Sequence, residues 1–317
     1  MLTKWFPMVQ FQKDTWEIDE FDCASMFLLV GSERAMLIDC GIGIGDLRGA
    51  VEMITEKPLT VVISHGHVDH TGNGRQFEEL WMHPADQKIP IPMSLERRRW
   101  DARMVARRQK GCIGAPYNMF SLYPYHINED LREPGEEEGF PRIRDLYDGQ
   151  QFNLGGGRIV TAYECPGHSR GEMVFLDHQT RTLFAGDALN FNMGVSAVPV
   201  ETTLRSLKKI QGLKGQYDVI YNGHHDFRAL GAPLDEDCLP DAIAILEDAM
   251  AGHIVPCETP SFWGQSIPLE PGERVAVTSP GSDKEPKPGK RMTLRRGRVF
   301  LHIDPDKIRE EGGENGC

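Results

Sequence analysis

The sequence predicts an α/β chain folded as a four-layer sandwich: two sheets packed face to face, with helices on the outer faces. Three observations predict it. The 317 residues contain two successive strand-and-helix cycles, one over 22–64 and one over 158–252. Each cycle holds short strands rich in β-branched residues and helices whose apolar residues recur on one face. Two halves that each bury one sheet face pack most simply against one another.

In the first cycle, residues 22–31 (DCASMFLLVG) and 35–39 (AMLID) read as strands joined by the turn Ser32-Glu33-Arg34. Cys40-Gly41 then turns the chain. Residues 46–57 have helical spacing, with Leu47, Val51 and Ile54 on one face and Pro58 after the stop. Residues 59–64 (LTVVIS) form a short buried strand. In the second cycle, 158–163, 173–177, 182–185 and 217–221 read as strands, and 201–213 and 236–252 as helices. Leu204, Leu207 and Ile210 share the buried face of the first of these helices.

Between the cycles lies an insertion of roughly 84–147. It opens with a basic helix candidate, 96–110, carrying seven positive and two negative charges. An aromatic run (Tyr117, Phe120, Tyr123, Tyr125) and an acidic stretch, 129–138, follow. A segment this long without regular pattern reads as a lid or an interaction element. The expected organisation is a catalytic domain over 1–260 and a C-terminal extension over 261–317. That extension is rich in Pro and Gly up to Lys290. It then alternates as an edge strand (RMTLRRGRVFLHID) and ends in eight residues expected to be disordered.

Composition narrows the function classes. Against 35 Lys+Arg stand 47 Asp+Glu, a net charge of −12, which disfavours a dedicated nucleic-acid or anionic-membrane binder. No apolar stretch reaches the 18 or so residues that a membrane span needs, and the N-terminus lacks a signal-peptide pattern. The seven Cys are dispersed, odd in number and never in a C-x-x-C pair, so they read as reduced thiols of a cytoplasmic protein.

The chemistry concentrates in Ser64-His65-Gly66-His67-Val68-Asp69-His70, directly after the strand 59–64. Four nitrogen and oxygen ligands within six residues suit a borderline divalent cation. Three more ligand-type residues follow strands in the same way: His168 in Cys-Pro-Gly-His, Asp187 in Ala-Gly-Asp and His224 in Asn-Gly-His. In open α/β architectures, ligands gather outside strand ends, so these strands are expected to converge on one cleft. His225 follows His224, and the residue next to the glycine is preferred.

H-x-H-x-D-H followed by G-H, G-D and a last G-H resembles the metallo-β-lactamase superfamily, over roughly 20–95 and 148–250. The resemblance implies an αββα sandwich with a dinuclear site. His65, His67 and His168 would bind one metal, and Asp69, His70 and His224 the second, with Asp187 bridging. Asp39 matches a family aspartate that orients a ligand imidazole. Aspartate rather than cysteine at 187 disfavours β-lactam hydrolysis, and His67 disfavours the flavodiiron branch. The nuclease branches' extra motifs are absent. The best match is the glyoxalase II and lactonase group.

The function so implied is a hydrolase of a thioester, lactone or other carboxylic ester, using two divalent cations. Zinc comes first, with iron or manganese admitted by the N/O donor set. A shared hydroxide would attack the carbonyl, and Asp69 or Asp187 would carry the proton as catalytic residues. The alternatives are a phosphodiester hydrolase, a mononuclear iron persulfide dioxygenase and a non-catalytic metal-binding interaction protein. The partner is a small molecule, with an anionic one favoured by the basic helix 96–110, and a homodimer is compatible with the aromatic run. Met119 is expected over the cleft, with Phe191, Asn192 and Met193 lining it. His83, His126, His178, His253 and His302 read as ordinary surface or core residues, and Cys40 and Cys165 as packing thiols. The basic segment 284–298 reads as solvated surface.

Overall fold

A computed structural model describes residues 5–20, 24–87, 141–224, 228–257 and 292–310. The basic helix candidate, the aromatic run with Met119, the acidic stretch, His126, His225 and residues 284–291 lie outside the described residues.

The first sheet has seven strands in chain order: β1 (Met8–Gln12), β2 (Thr15–Asp19), β3 (Ser25–Val30), β4 (Ala35–Ile38), β5 (Leu59–Val62), β6 (Glu79–Met82) and β7 (Arg142–Asp145). β1 to β4 pair antiparallel, while β4 to β7 run parallel. The second sheet contains β8 (Gln151–Asn153), β9 (Ile159–Glu164), β10 (Met173–Asp177), β11 (Thr182–Phe184) and β13 (Val219–Tyr221). Its spatial order is β13-β11-β10-β9-β8. A third, small sheet sets β12 (Asn192–Gly194) against the hairpin β14 (Met292–Arg296) and β15 (Val299–Ile303), in the order β12-β15-β14. The helices are α1 (Leu47–Glu52), α2 (Val68–Thr71), α3 (Val200–Gly212) and α4 (Cys238–Met250).

Side chains alternate along a strand, so the apolar runs split between two faces. In β3, Met26 and Leu28 join the core under α1, whereas Phe27 and Leu29 face the second sheet. In β10, Met173 and Phe175 meet them from the other side, and Val174 and Leu176 face α3 and α4. This is the expected layering: helix, sheet, sheet, helix. Such strands read as continuous apolar runs because both of their faces are buried.

The expected boundaries shift in two places. Residues 84–147 do not all stand outside the sandwich: Arg142–Asp145 add the seventh strand, and Leu146 is buried between the sheets. The extension 261–317 does not stand apart either. Leu294, Val299, Leu301 and Ile303 are buried in the same core as α3 and α4. The lone edge strand expected there is a hairpin whose second strand runs parallel to β12. Arg296 and Arg298 pair with Asp241 and Asp235, so this part of the basic segment is a solvated, ion-paired face.

Several features went unread in the sequence, β6 and β12 among them. The N-terminal hairpin β1–β2 extends the first sheet, and β7 and β8 flank the two sheets. Helix 46–57 stops early, at Glu52. Buried ion pairs join distant parts. Arg158 donates to Asp177 (2.7 Å), and Arg228 forms a two-pronged pair with Glu17 (2.6 and 2.9 Å). Among the described residues, no helix is long and apolar enough to cross a membrane.

Candidate metal centre

Four strands end at one edge of the sandwich. Just past β5 lie Ser64 and His65, and the short α2 carries Asp69 and His70, with His67 as its N-cap. His168 follows β9, Asp187 follows β11 and His224 follows β13. All seven expected ligand residues are brought together. Ligand atoms of His65, His67 and His168 lie within 4.8 Å of one another, as do those of His65, His70 and Asp187, and those of Asp69, His70 and His224. Asp187 Oδ2 stands 3.6 Å from His168 Nε2, 3.8 Å from His70 Nε2 and 3.2 Å from His224 Nε2, so it lies between the groups. The close approach explains one glycine. A Cβ at Gly223 would come within 2.6 Å of His70 Cε1 and 3.0 Å of Asp187 Oδ1.

The outward nitrogens decide the tautomers. His168 Nδ1 lies 3.0 Å from the Gly194 carbonyl oxygen, which can only accept. His70 Nδ1 donates to Asp39 Oδ2 at 2.9 Å. Ser64 Oγ spends its one proton on Asp39 Oδ2 (2.8 Å), so it accepts from His65 Nδ1 (3.1 Å). In its neutral form each of the three rings therefore turns an Nε2 lone pair inward. Asp39, expected as an orienting aspartate, touches His70 directly and His65 through Ser64. Its backbone sits at φ 67°, a left-handed conformation that Asp tolerates better than most residues.

These lone pairs meet a donor shortage. His67 Nδ1 lies 3.0 Å from His65 Nε2 and 2.9 Å from His168 Nε2. One proton at most can be shared among these three nitrogens, so lone pairs face each other. Buried His70 Nε2 and Asp187 Oδ1 have no hydrogen-bond partner among the described residues. Buried polar atoms without partners are costly, and a cation between them removes the cost. The donor set, imidazole nitrogen and carboxylate oxygen, fits a borderline divalent ion.

In the cation-free cluster the carboxylates draw positive charge onto the imidazoles instead. Burial, then the neighbouring His70 and His168, hold His65 well below the ordinary imidazole range, so it is neutral. Burial alone would lower His70 too, but Asp39, Asp69 and Asp187 outweigh it and raise it to about 9. Burial would raise Asp187, but His224 and His70 outweigh it and hold the carboxyl well below its usual range. Asp69 is lowered in the same manner, with burial opposing and His70 and His224 prevailing.

Sequence reasoning missed the carboxylates that frame the centre. Glu172 is buried beside it. Its Oε1 accepts from the Asp187 backbone N–H (3.1 Å) and lies 3.5 Å from His65 Nδ1. Burial, reinforced by the Asp187 charge, pushes Glu172 well above the usual carboxylate range. Its one sequence signal was an acid placed against the apolar run of β10. Glu20 accepts from the backbone N–H groups of Gly43 (3.0 Å) and Ile44 (2.7 Å), and from that of Ile42, fixing the loop after β4. Asp86 joins two of the ligand loops.

Other expectations resolve differently. Phe191 and Met193 do not line the cleft. They are buried in the core shared by α3, α4 and the tail hairpin, because β12 is pinned there by β15. Asn192 Oδ1 accepts from His302 Nε2 (2.6 Å). Cys40 and Cys165 are buried free thiols, as expected of packing residues. His178 and His253 are exposed, and His83 contacts Glu164 (3.2 Å). A cavity of about 470 Å³, lined by Val51, Leu59 and Phe77 among others, contains none of the seven cluster residues.

Comparison with known proteins agrees with this geometry. The human acyl-coenzyme A thioesterase MBLAC2 is 28% identical over 181 residues, covering 52% of this chain and 58% of the relative. The chain thus spans somewhat more than half the length of that curated relative. The atrochrysone carboxyl ACP thioesterase of Aspergillus fumigatus is 25% identical over 202 residues, covering 61% of this chain and 48% of the relative. Among solved structures, the metallo-beta-lactamase from Pontibacter korlensis superposes with a TM-score of 0.50 at 15% identity, over 77% of this chain and all of that one, a likeness of fold. The family model of the metallo-beta-lactamase superfamily matches residues 20–224, from the carboxylate under the first loop to the last ligand-type histidine, and the chain belongs to that superfamily.

Proposed function

We propose that the chain is a metal-dependent hydrolase of carboxylic thioesters, with lactones and other carboxylic esters as neighbouring substrates. The observation that carries it is the convergence of five imidazoles and two carboxylates, with buried His70 Nε2 and Asp187 Oδ1 left without a hydrogen-bond partner among the described residues. His65, His67 and His168 would hold one divalent cation, and Asp69, His70 and His224 a second, with Asp187 between them. Zinc is the first choice for both. Cations bound there would activate a water molecule and polarise a substrate carbonyl. The thioester class is supported by the named activities of the human and Aspergillus relatives.

The chain's own residues do the rest. Asp39, Ser64 and the Gly194 carbonyl hold His65, His70 and His168 in one orientation, so these three do not have to turn during turnover. Asp69 is the more exposed of the two carboxylates, at 29% against 12% for Asp187. It is placed to take a proton from the attacking water and return it to the leaving group. Cys40, Cys165 and Cys238 are buried free thiols, which fits a reducing, cytoplasmic setting. A centre with two dications against two ligand carboxylates carries local positive charge, so the reading favours an anionic small-molecule substrate.

The test is metal analysis of protein purified without chelator, combined with a substrate panel. Two equivalents of metal and turnover of acyl-coenzyme A or acylglutathione thioesters are expected. At most one equivalent, with thioesters and lactones both untouched, would refute the reading. Faster turnover of bis(p-nitrophenyl) phosphate, or oxygen uptake with glutathione persulfide, would replace it with one of the other two chemistries. Asp39→Asn keeps the shape but weakens the acceptor shared by His70 and Ser64. Metal affinity is expected to fall about 10–100-fold, read by competition with a chromophoric chelator.

A further inference from the structure

We propose that Asp86 is the positioning residue of the His65–His67–His168 group, a single carboxylate that clasps together the two loops supplying those three imidazoles. This rests on the metal-centre reading above. Asp86 is 4% exposed and lies in the turn after β6. Its Oδ2 accepts from the Gly66 N–H (3.1 Å) and from Ser169 Oγ (2.6 Å), and its Oδ1 accepts from the Gly171 N–H (2.9 Å).

The sequence positions of these donors give the carboxylate its role. Gly66 sits between His65 and His67, and Ser169 directly follows His168. One loop leaves β5 in the first sheet and the other leaves β9 in the second. No strand ladder joins those sheets among the described residues, so the spacing between the loops must be held by individual bonds. One is the Met173 N–H donating to the Ser64 carbonyl (2.8 Å). The three bonds of Asp86 also reach both loops, beside the ligands themselves. The fit is close: a Cβ at Gly171 would come within 2.8 Å of Asp86 Cγ and 2.9 Å of His83 Nδ1. The second group is held by other means. His70 is fixed by Asp39, and the His224 loop by Arg228, which binds Asn222. Loss of the clasp therefore acts on one cation and spares the other.

The experiment measures zinc stoichiometry and affinity by chelator competition on the full chain. Asp86→Asn puts an amide N–H against a backbone or hydroxyl donor. It is expected to weaken one of two zinc ions by about 10–100-fold while the other keeps its wild-type affinity. Ser169→Ala removes one bond of three and should shift the same ion by less, and it carries the test if Asp86→Asn fails to fold. Asp177→Asn is the control. It weakens a buried pair with Arg158, away from the centre, and should lower the melting temperature with no change in zinc binding. Two zinc ions bound by Asp86→Asn and Ser169→Ala as by the wild type would overturn the inference, and so would equal zinc loss in the control. A wild type that binds no zinc would instead overturn the metal-centre reading itself.

Discussion

Asp187→Ala is expected to lower kcat/KM for the best thioester by at least ~10³-fold, about 4 kcal/mol of transition-state stabilisation. Its Oδ2 lies within 3.2–3.8 Å of Nε2 atoms from three imidazoles, drawn from both ligand groups. Truncation removes the carboxylate from among those nitrogens and leaves only Asp69 near His70 and His224. Asp187→Asn retains the shape and one acceptor oxygen, and it should fall between wild type and alanine. The measurement is steady-state kinetics at saturating zinc, which separates weakened metal binding from a damaged reaction. A kcat/KM for Asp187→Ala within tenfold of wild type would show that the residue does not belong to the reacting centre.

Arg228→Ala is expected to destabilise the fold by ~3–5 kcal/mol, the usual cost of leaving a buried charge without its partner. Glu17 and Arg228 are 0% and 3% exposed. Glu17 also accepts from the Gly231 N–H (2.6 Å), and Arg228 donates to the Asn222 side chain (2.7 Å) and to its carbonyl (3.1 Å). Urea unfolding reads the effect, and loss of less than ~1 kcal/mol would mean that water replaces the guanidinium. Removing both charges, as in Glu17→Gln with Arg228→Met, should recover much of the loss. The pair also has a pH signature. Burial would raise Glu17, but the Arg228 charge and hydrogen bonds outweigh it and hold it below the ordinary 4.5. The pair's contribution is therefore complete above about pH 4.5 and is lost as the pH falls through the depressed value of the folded state. Arg228→Ala should flatten that acid limb.

The ligand residues were legible because their chemistry is dense and local. His65, His67, Asp69 and His70 fall within six residues, and His168, Asp187 and His224 each follow a glycine at a strand end. The strands β3, β4, β5 and β10 were legible because burial on both faces makes them continuously apolar. The weaker strands were not. β7 reads RIRD and β8 reads QFN, edge strands with one exposed face and no apolar run. The framing carboxylates had still less signal. Glu20, Asp86 and Glu172 act on backbone N–H groups between 15 and 85 residues away, and no local pattern marks such partners. Phe191 and Met193 were misplaced for a related reason. Their position after Asp187 suggests the cleft, but their burial is decided by a strand more than a hundred residues later.

That late strand bears on how the centre comes into being. The Gly194 carbonyl that orients His168 sits in β12, whose only ladder partner among the described residues is β15. Met193 pairs with Leu301 and Gly194 with His302. Contacts so far apart along the chain form slowly, because loop-closure entropy is lost before they reward it. During synthesis, the four parallel strands and the H-x-H-x-D-H loop can assemble while residues near 300 are still to come. His168 then gains its fixed orientation only when the hairpin docks, after the H-x-H-x-D-H loop is in place.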